Sequence, residues 1–203
     1  MKVARFRDLV PKDRYYYELG LFVQHFSKIE TLLQYALWFY SDTSEQTARA
    51  VFSGVRVEQA VSFIKRLHRS KDIEMHPLLS ASLDQIGVIN AARNLIVHYG
   101  ARFEDDLPKY VTNARSVLKV TEALKYPISS HILSGLTRDL VHIQFSIGLV
   151  LGHAAGPIDD FEDRAERLLR YAWRYKHEPE GTPRQPTKRK PRKHANPPEP
   201  SRA

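Results

Sequence analysis

Arg93, Asn94 and His98 are the residues whose types and spacing could do chemistry together. A guanidinium group matches phosphate geometry, and an imidazole can take up or release a proton near neutral pH. At about 100° per residue, Asn94 and His98 lie about 40° apart on one helix face, whereas Arg93 and His98 lie about 140° apart. The long arginine side chain and the nearby helix end can still bring the two groups together. Two copies of this helix end, facing each other, would place two arginines and two histidines in one cleft.

A long helix must carry this motif at its C-terminal end. Pro77 suits the first turn of such a helix, and Gly100 follows the last periodic residue, as a C-terminal glycine commonly does. Apolar residues recur three or four apart between these limits and predict one buried face, which comprises Leu79, Leu83, Ile86 and Ile89.

The remaining chain has the pattern of an all-α fold class with one extended excursion. Helical periodicity predicts helices over residues 14–40, 44–52, 56–69, 130–155 and 159–176. We expect a small hairpin over residues 101–112 and a further extended piece over 117–120. The most apolar stretch, residues 140–155, is too short to span a bilayer comfortably, so we interpret it as a buried helix.

The composition divides the chain into a helical domain at residues 1–177 and a basic, proline-rich tail at 178–203. The tail has seven prolines and no aromatic residue, a composition that predicts disorder, and it contributes about half of the net charge of +8. Its basic residues could attract RNA, or could serve only to keep a disordered end soluble: Lys188, Arg189, Lys190, Arg192 and Lys193.

The residue types also limit cofactors and location. The absence of cysteine excludes disulfides and thiolate metal sites and suits a reducing cytoplasm. The N-terminus lacks the long apolar region of a secretory signal. His131, His142 and His153 are spaced eleven apart, so neighbours on a helix would lie about 16 Å apart, too far to share an ion. We therefore expect no metal and no cofactor.

The motif Arg93-Asn94-Leu95-Ile96-Val97-His98 resembles the R-x4-6-H signature of HEPN domains, the helical domains of higher eukaryotes and prokaryotes. The resemblance extends over residues 15–153. It includes a long first helix with the sequence FSKIETLLQYAL, the motif at the end of a later helix, the glycine after it, an extended excursion and another long helix. A HEPN-like up-and-down helical bundle is therefore the fold that this resemblance implies.

The resemblance implies a function as a metal-independent endoribonuclease with a composite site in a homodimer. In that chemistry the ribose 2′-OH attacks the adjacent phosphate. Arg93 would hold the phosphorane oxygens, His98 would transfer protons, and Asn94 would orient His98 or donate to the phosphate. The expected partners are RNA, a second copy of the chain and an antitoxin or activator protein, in a prokaryotic defence or toxin system.

Alternatives stay open for the same residues. Arg93 could be an ordinary helix-end charge and His98 a capping side chain. Glu30 could orient His98 or pair with Arg93, or could be a solvent-facing glutamate beside Lys28. The whole chain could instead be a non-catalytic interaction module that dimerises, or an RNA-binding protein that acts through its basic tail.

Overall fold

A computed structural model of the chain describes residues 9–115, 117 and 123–176. These residues form six helices and one antiparallel sheet of three strands. The helices are α1 Pro11–Ser41, α2 Glu45–Phe52, α3 Val57–Ser70, α4 Pro77–Tyr99, α5 Ser130–Ala155 and α6 Phe161–Leu169, and the strands are β1 Ala101–Glu104, β2 Leu107–Thr112 and β3 Lys125–Pro127. The expected mostly helical fold is thus confirmed.

Four helices enclose the hydrophobic core. Both α1 and α4 pack against α3 and α5, while α2 lies on α1 and α6 lies on α4 and α5. Apolar residues at helical spacing on α1 face inward and are almost completely buried, which is the main stabilising contribution of this helix: Phe22, Phe26, Ile29, Leu33 and Leu37. This packing fixes the positions from which α1, α3 and α4 present polar side chains.

The predicted helix ends are confirmed at several places. The Ser44 hydroxyl accepts a hydrogen bond from the Thr47 amide of α2 at 3.3 Å. The Ser129 hydroxyl accepts one from Ile132 of α5 at 3.2 Å. Gly100 ends α4 with φ of +62°, a region that side chains with a Cβ atom rarely occupy, and so lets the chain turn into β1.

The expected hairpin is also confirmed, with β1 and β2 paired antiparallel. The third strand was not predicted, because it is only three residues long and includes Pro127. Proline has no backbone N–H to donate to a neighbouring strand and therefore argues against a strand in sequence-based prediction. Within the extended piece expected over 117–120, Val117 belongs to no strand and the other residues lie outside the described part of the chain.

The prediction that the last helix continues to residue 176 is wrong, because α6 ends at Leu169. Beyond it the chain is held by Asp139, whose carboxylate is completely buried in α5. This carboxylate accepts hydrogen bonds from the backbone amides of Arg174 and Tyr175, both at 2.9 Å, and from the Tyr171 hydroxyl at 3.1 Å. Binding to a distant side chain therefore replaces the helical hydrogen bonds that the local pattern favours.

The apolar stretch at residues 140–155 lies within α5, and its inward residues Leu140, Ile143 and Ile147 are buried, as expected. No helix in the described part of the chain is long and apolar enough to cross a membrane. The tail predicted at 178–203 lies outside the described residues.

Candidate functional site

One open groove of about 560 Å³ contains the side chains singled out in the sequence. Side chains from α1, from the start of α3 and from α4 line this groove. Its lining residues are Glu30 from α1, Arg56, Val57 and Glu58 at the start of α3, and Asn90, Arg93, Asn94 and His98 from α4. The structure thus brings Glu30, which is remote in sequence, to the same groove as the Arg93–His98 motif.

Arg93 is half-buried and is held from two sides. Its guanidinium carbon lies 5.3 Å from the centroid of the Phe26 ring, a distance suited to a cation–π interaction. Its Nη1 donates a hydrogen bond to Oδ1 of Asn94 at 3.1 Å. Because Phe26 is almost completely buried, the core positions the guanidinium at the groove.

His98 is exposed in the last turn of α4. Its ring lies 6.5 Å from that of Tyr99, and no hydrogen bond joins it to another described residue. The imidazole nitrogens can therefore meet a ligand without first giving up a partner in the described part of the chain. Because no such hydrogen bond joins the His98 ring to the end of α4 among the described residues, the interpretation of His98 as a capping side chain has no support.

The two carboxylates of the groove differ in their contacts. Glu30 is exposed, and neither an ion pair nor a hydrogen bond joins it to Arg93 or His98 among the described residues. Glu58 accepts a hydrogen bond at 3.0 Å from the side-chain amide of Asn90, which is only 6% exposed. Glu58 is also the second residue of α3, where a helix N-terminus stabilises negative charge.

Charge distinguishes this groove from another cavity of similar size. The second cavity, of about 580 Å³, lies between the start of α4 and α6 and is lined by Glu74, Glu162, Asp163 and Glu166. Four carboxylates would repel a polyanion, whereas in the groove beside α4 two arginines and a histidine stand against two carboxylates, Glu30 and Glu58. Of these two cavities, the groove is therefore the one that repels a phosphate less.

Comparisons with protein families, with curated proteins and with solved structures find no match for this chain. The resemblance to HEPN domains therefore stays a prediction from the sequence.

Sequence reasoning missed Arg56, Glu58 and Asn90. Asn90 had a usable signal, because Asn90, Asn94 and His98 are spaced four apart and so form one polar stripe on a helix. Arg56 and Glu58 had none, since only the packing of α3 against α1 and α4 brings them to this groove.

Two further histidines considered in the sequence lie away from the groove. His142 stacks on Tyr171 with ring centroids 3.9 Å apart, and His153 stacks on Phe161 at 3.8 Å, so both belong to the packing around α6. In the part of the chain that the structure describes, no three or more His, Cys, Asp or Glu residues are grouped to hold a metal ion. The tail residues Lys188, Arg189, Lys190, Arg192 and Lys193 lie outside that part.

Proposed function

We propose that this chain is a metal-independent endoribonuclease and that the groove beside α4 is its active site. The observation that carries the proposal is that Arg93 and His98 line the same open groove, the first anchored by the core and the second exposed. A phosphate-binding cation and a side chain that transfers protons are groups with which a protein can catalyse phosphodiester cleavage without a metal ion.

The reaction is an internal transesterification of RNA. The 2′-oxygen of one ribose attacks the adjacent phosphorus, and the bond between phosphorus and the 5′-oxygen of the next nucleotide breaks. The 2′-OH loses a proton and the departing 5′-oxygen gains one, leaving a 2′,3′-cyclic phosphate and a 5′-OH. Arg93 would stabilise the added negative charge on the phosphorane, and His98 would transfer one of the protons.

A second copy of the chain would complete the site, because the reaction needs both a proton acceptor and a proton donor. The end of α4 supports this part of the proposal. Val97 and Tyr99, which flank His98, are 47% and 37% exposed, and apolar and aromatic side chains of this kind are common at contacts between subunits. A symmetric pairing there would bring two His98 rings to one cleft.

The purified chain, incubated with single-stranded RNA in excess EDTA, tests the proposal. We expect fragments that end in 2′,3′-cyclic phosphate, and a decrease in kcat of about 10²–10³-fold for both Arg93→Ala and His98→Ala. Arg69→Ala is the matched control, because Arg69 is exposed on α3 and does not line the groove. Cleavage that survives both motif substitutions would contradict the proposal.

The rival functions give different results in the same assay. A non-catalytic interaction module would remain a folded dimer and leave RNA intact. An RNA-binding protein that acts through its tail would cleave no RNA. It would lose RNA binding when five basic residues are replaced by glutamine: Lys188, Arg189, Lys190, Arg192 and Lys193.

A role in prokaryotic defence or as a toxin, with an antitoxin or activator as partner, is the cellular setting we propose for the nuclease.

A further inference from the structure

Arg56 is a second arginine of the groove that the motif does not include. It directly precedes α3 and is exposed. Five ion pairs join described residues, and none of them includes Arg56 or Arg93, although two carboxylates line the same groove. Both guanidinium groups therefore lack an anionic partner within the described part of the chain.

Two features beside Arg56 offset the carboxylates of the groove. The nearest carboxylate in sequence, Glu58, is engaged by Asn90 and lies in the first turn of α3. The amide N–H groups of a first helical turn point towards its N-terminus and add a partial positive charge there. Arg56 and Val57 line the groove at this helix start. The volume of about 560 Å³ falls in the range that holds ligands much larger than one phosphate.

We infer that Arg56 binds a second phosphate of the same RNA strand, next to the one that Arg93 holds for cleavage. This inference rests on the proposed function and specifies its substrate as single-stranded RNA with at least two phosphates in the groove. Arg56 does not touch the reacting atoms, so it contributes to binding and not to the chemical step. Its loss should raise KM and leave kcat unchanged.

The test uses an RNA probe that cannot be cleaved, so that binding is measured separately from catalysis. The probe is a fluorescent single-stranded RNA of ten nucleotides with a 2′-O-methyl group on every ribose, which removes the attacking hydroxyl. Anisotropy gives its Kd over a series of salt concentrations for the natural chain, Arg56→Gln and Arg56→Lys. The control is Arg69→Gln, which makes the same charge change at the other end of α3, away from the groove.

We expect Arg56→Gln to raise Kd about tenfold, since the variant loses a charge-assisted contact with one phosphate. The slope of log Kobs against log salt should become shallower by about 0.7, the value for one phosphate contact on a single strand. Arg56→Lys should keep the slope, and Arg69→Gln should keep both quantities.

Two results would overturn the inference: no binding of the probe by the natural chain, or equal Kd values for Arg56→Gln and Arg69→Gln. A failure of the nuclease proposal alone would give a different result. The probe would still bind in a way that depends on Arg56, but natural RNA would remain uncut. If natural RNA is cut, its KM and kcat distinguish a binding contact, which changes KM, from a role in the chemical step, which changes kcat.

Discussion

The guanidinium of Arg93 lies 5.3 Å from the centroid of the Phe26 ring, which is only 3% exposed and belongs to the core. This contact joins the hydrophobic packing of α1 to the polar groove beside α4. The interaction of a cation with an aromatic face stabilises by about 0.5–1 kcal/mol at exposed sites and by more when it is shielded from water. A core residue thus determines where the Arg93 guanidinium points.

We predict that Phe26→Leu lowers kcat/KM for RNA cleavage about three- to tenfold, because leucine keeps the site apolar but removes the cation–π interaction. Phe22→Leu is the control, since Phe22 is equally buried on α1 and makes no contact of this kind with Arg93. In an Arg93→Ala background, Phe26→Leu should have no further effect. An additive loss there would mean that Phe26 acts through the fold and not through Arg93.

Asn94 gives a second prediction, because its Oδ1 accepts a hydrogen bond from Arg93 at 3.1 Å. Asn94→Ala removes this bond and should lower kcat/KM about tenfold, within the energy of one hydrogen bond to a charged group. Asn94→Asp keeps the acceptor but adds a negative charge next to the proposed phosphate site. We therefore expect the aspartate variant to be the less active of the two. The opposite order would exclude an electrostatic role for this position.

Asp139 gives a prediction about stability. Its buried carboxylate accepts hydrogen bonds from four groups, the Gln85 side chain at 3.1 Å included, and so fixes the chain beyond α6. An asparagine side chain at this position would have only one acceptor oxygen, so Asp139→Asn should lower the free energy of unfolding by about 2–4 kcal/mol in chemical denaturation. Asp163→Asn, in the exposed first turn of α6, should change it by less than about 1 kcal/mol.

The sequence predicted well those parts that depend on local periodicity. The long helices α1, α4 and α5 and the cap residues Ser44 and Ser129 follow from apolar spacing and from side chains that satisfy nearby amides. The grouping of Arg93, Asn94 and His98 follows from the same rules, because all three lie in two turns of one helix.

The parts that were missed depend on contacts between distant residues. Helical periodicity continues past Leu169, yet the Asp139 carboxylate on another helix binds the backbone there. Arg56 reaches the groove only through the packing of α3, and a strand of three residues such as β3 exists only because β2 is beside it. A pattern of neighbouring residues in the sequence does not encode such contacts between distant parts of the chain.

His68 leads to a prediction about pH. It is 6% exposed at the end of α3, and its ring lies 4.3 Å from that of Tyr40 on α1. Burial, together with the positive charge of Lys71, lowers the pKa of His68 below its usual value of 6.5. The unfolded chain therefore binds a proton at this residue more readily than the folded chain does, so acid favours unfolding.

We predict that protonation of His68 does not change the free energy of unfolding above about pH 6.5. Below that pH, the free energy of unfolding falls as the pH drops towards the lowered pKa of His68. His68→Leu removes the titrating group, so the loss of stability between pH 7 and pH 5 should be smaller. It should not vanish, because burial also lowers the pKa of His25 and His142. Urea denaturation at each pH measures the effect, with the exposed His131→Gln as control. An unchanged pH dependence in His68→Leu would show that protonation of this ring does not oppose folding.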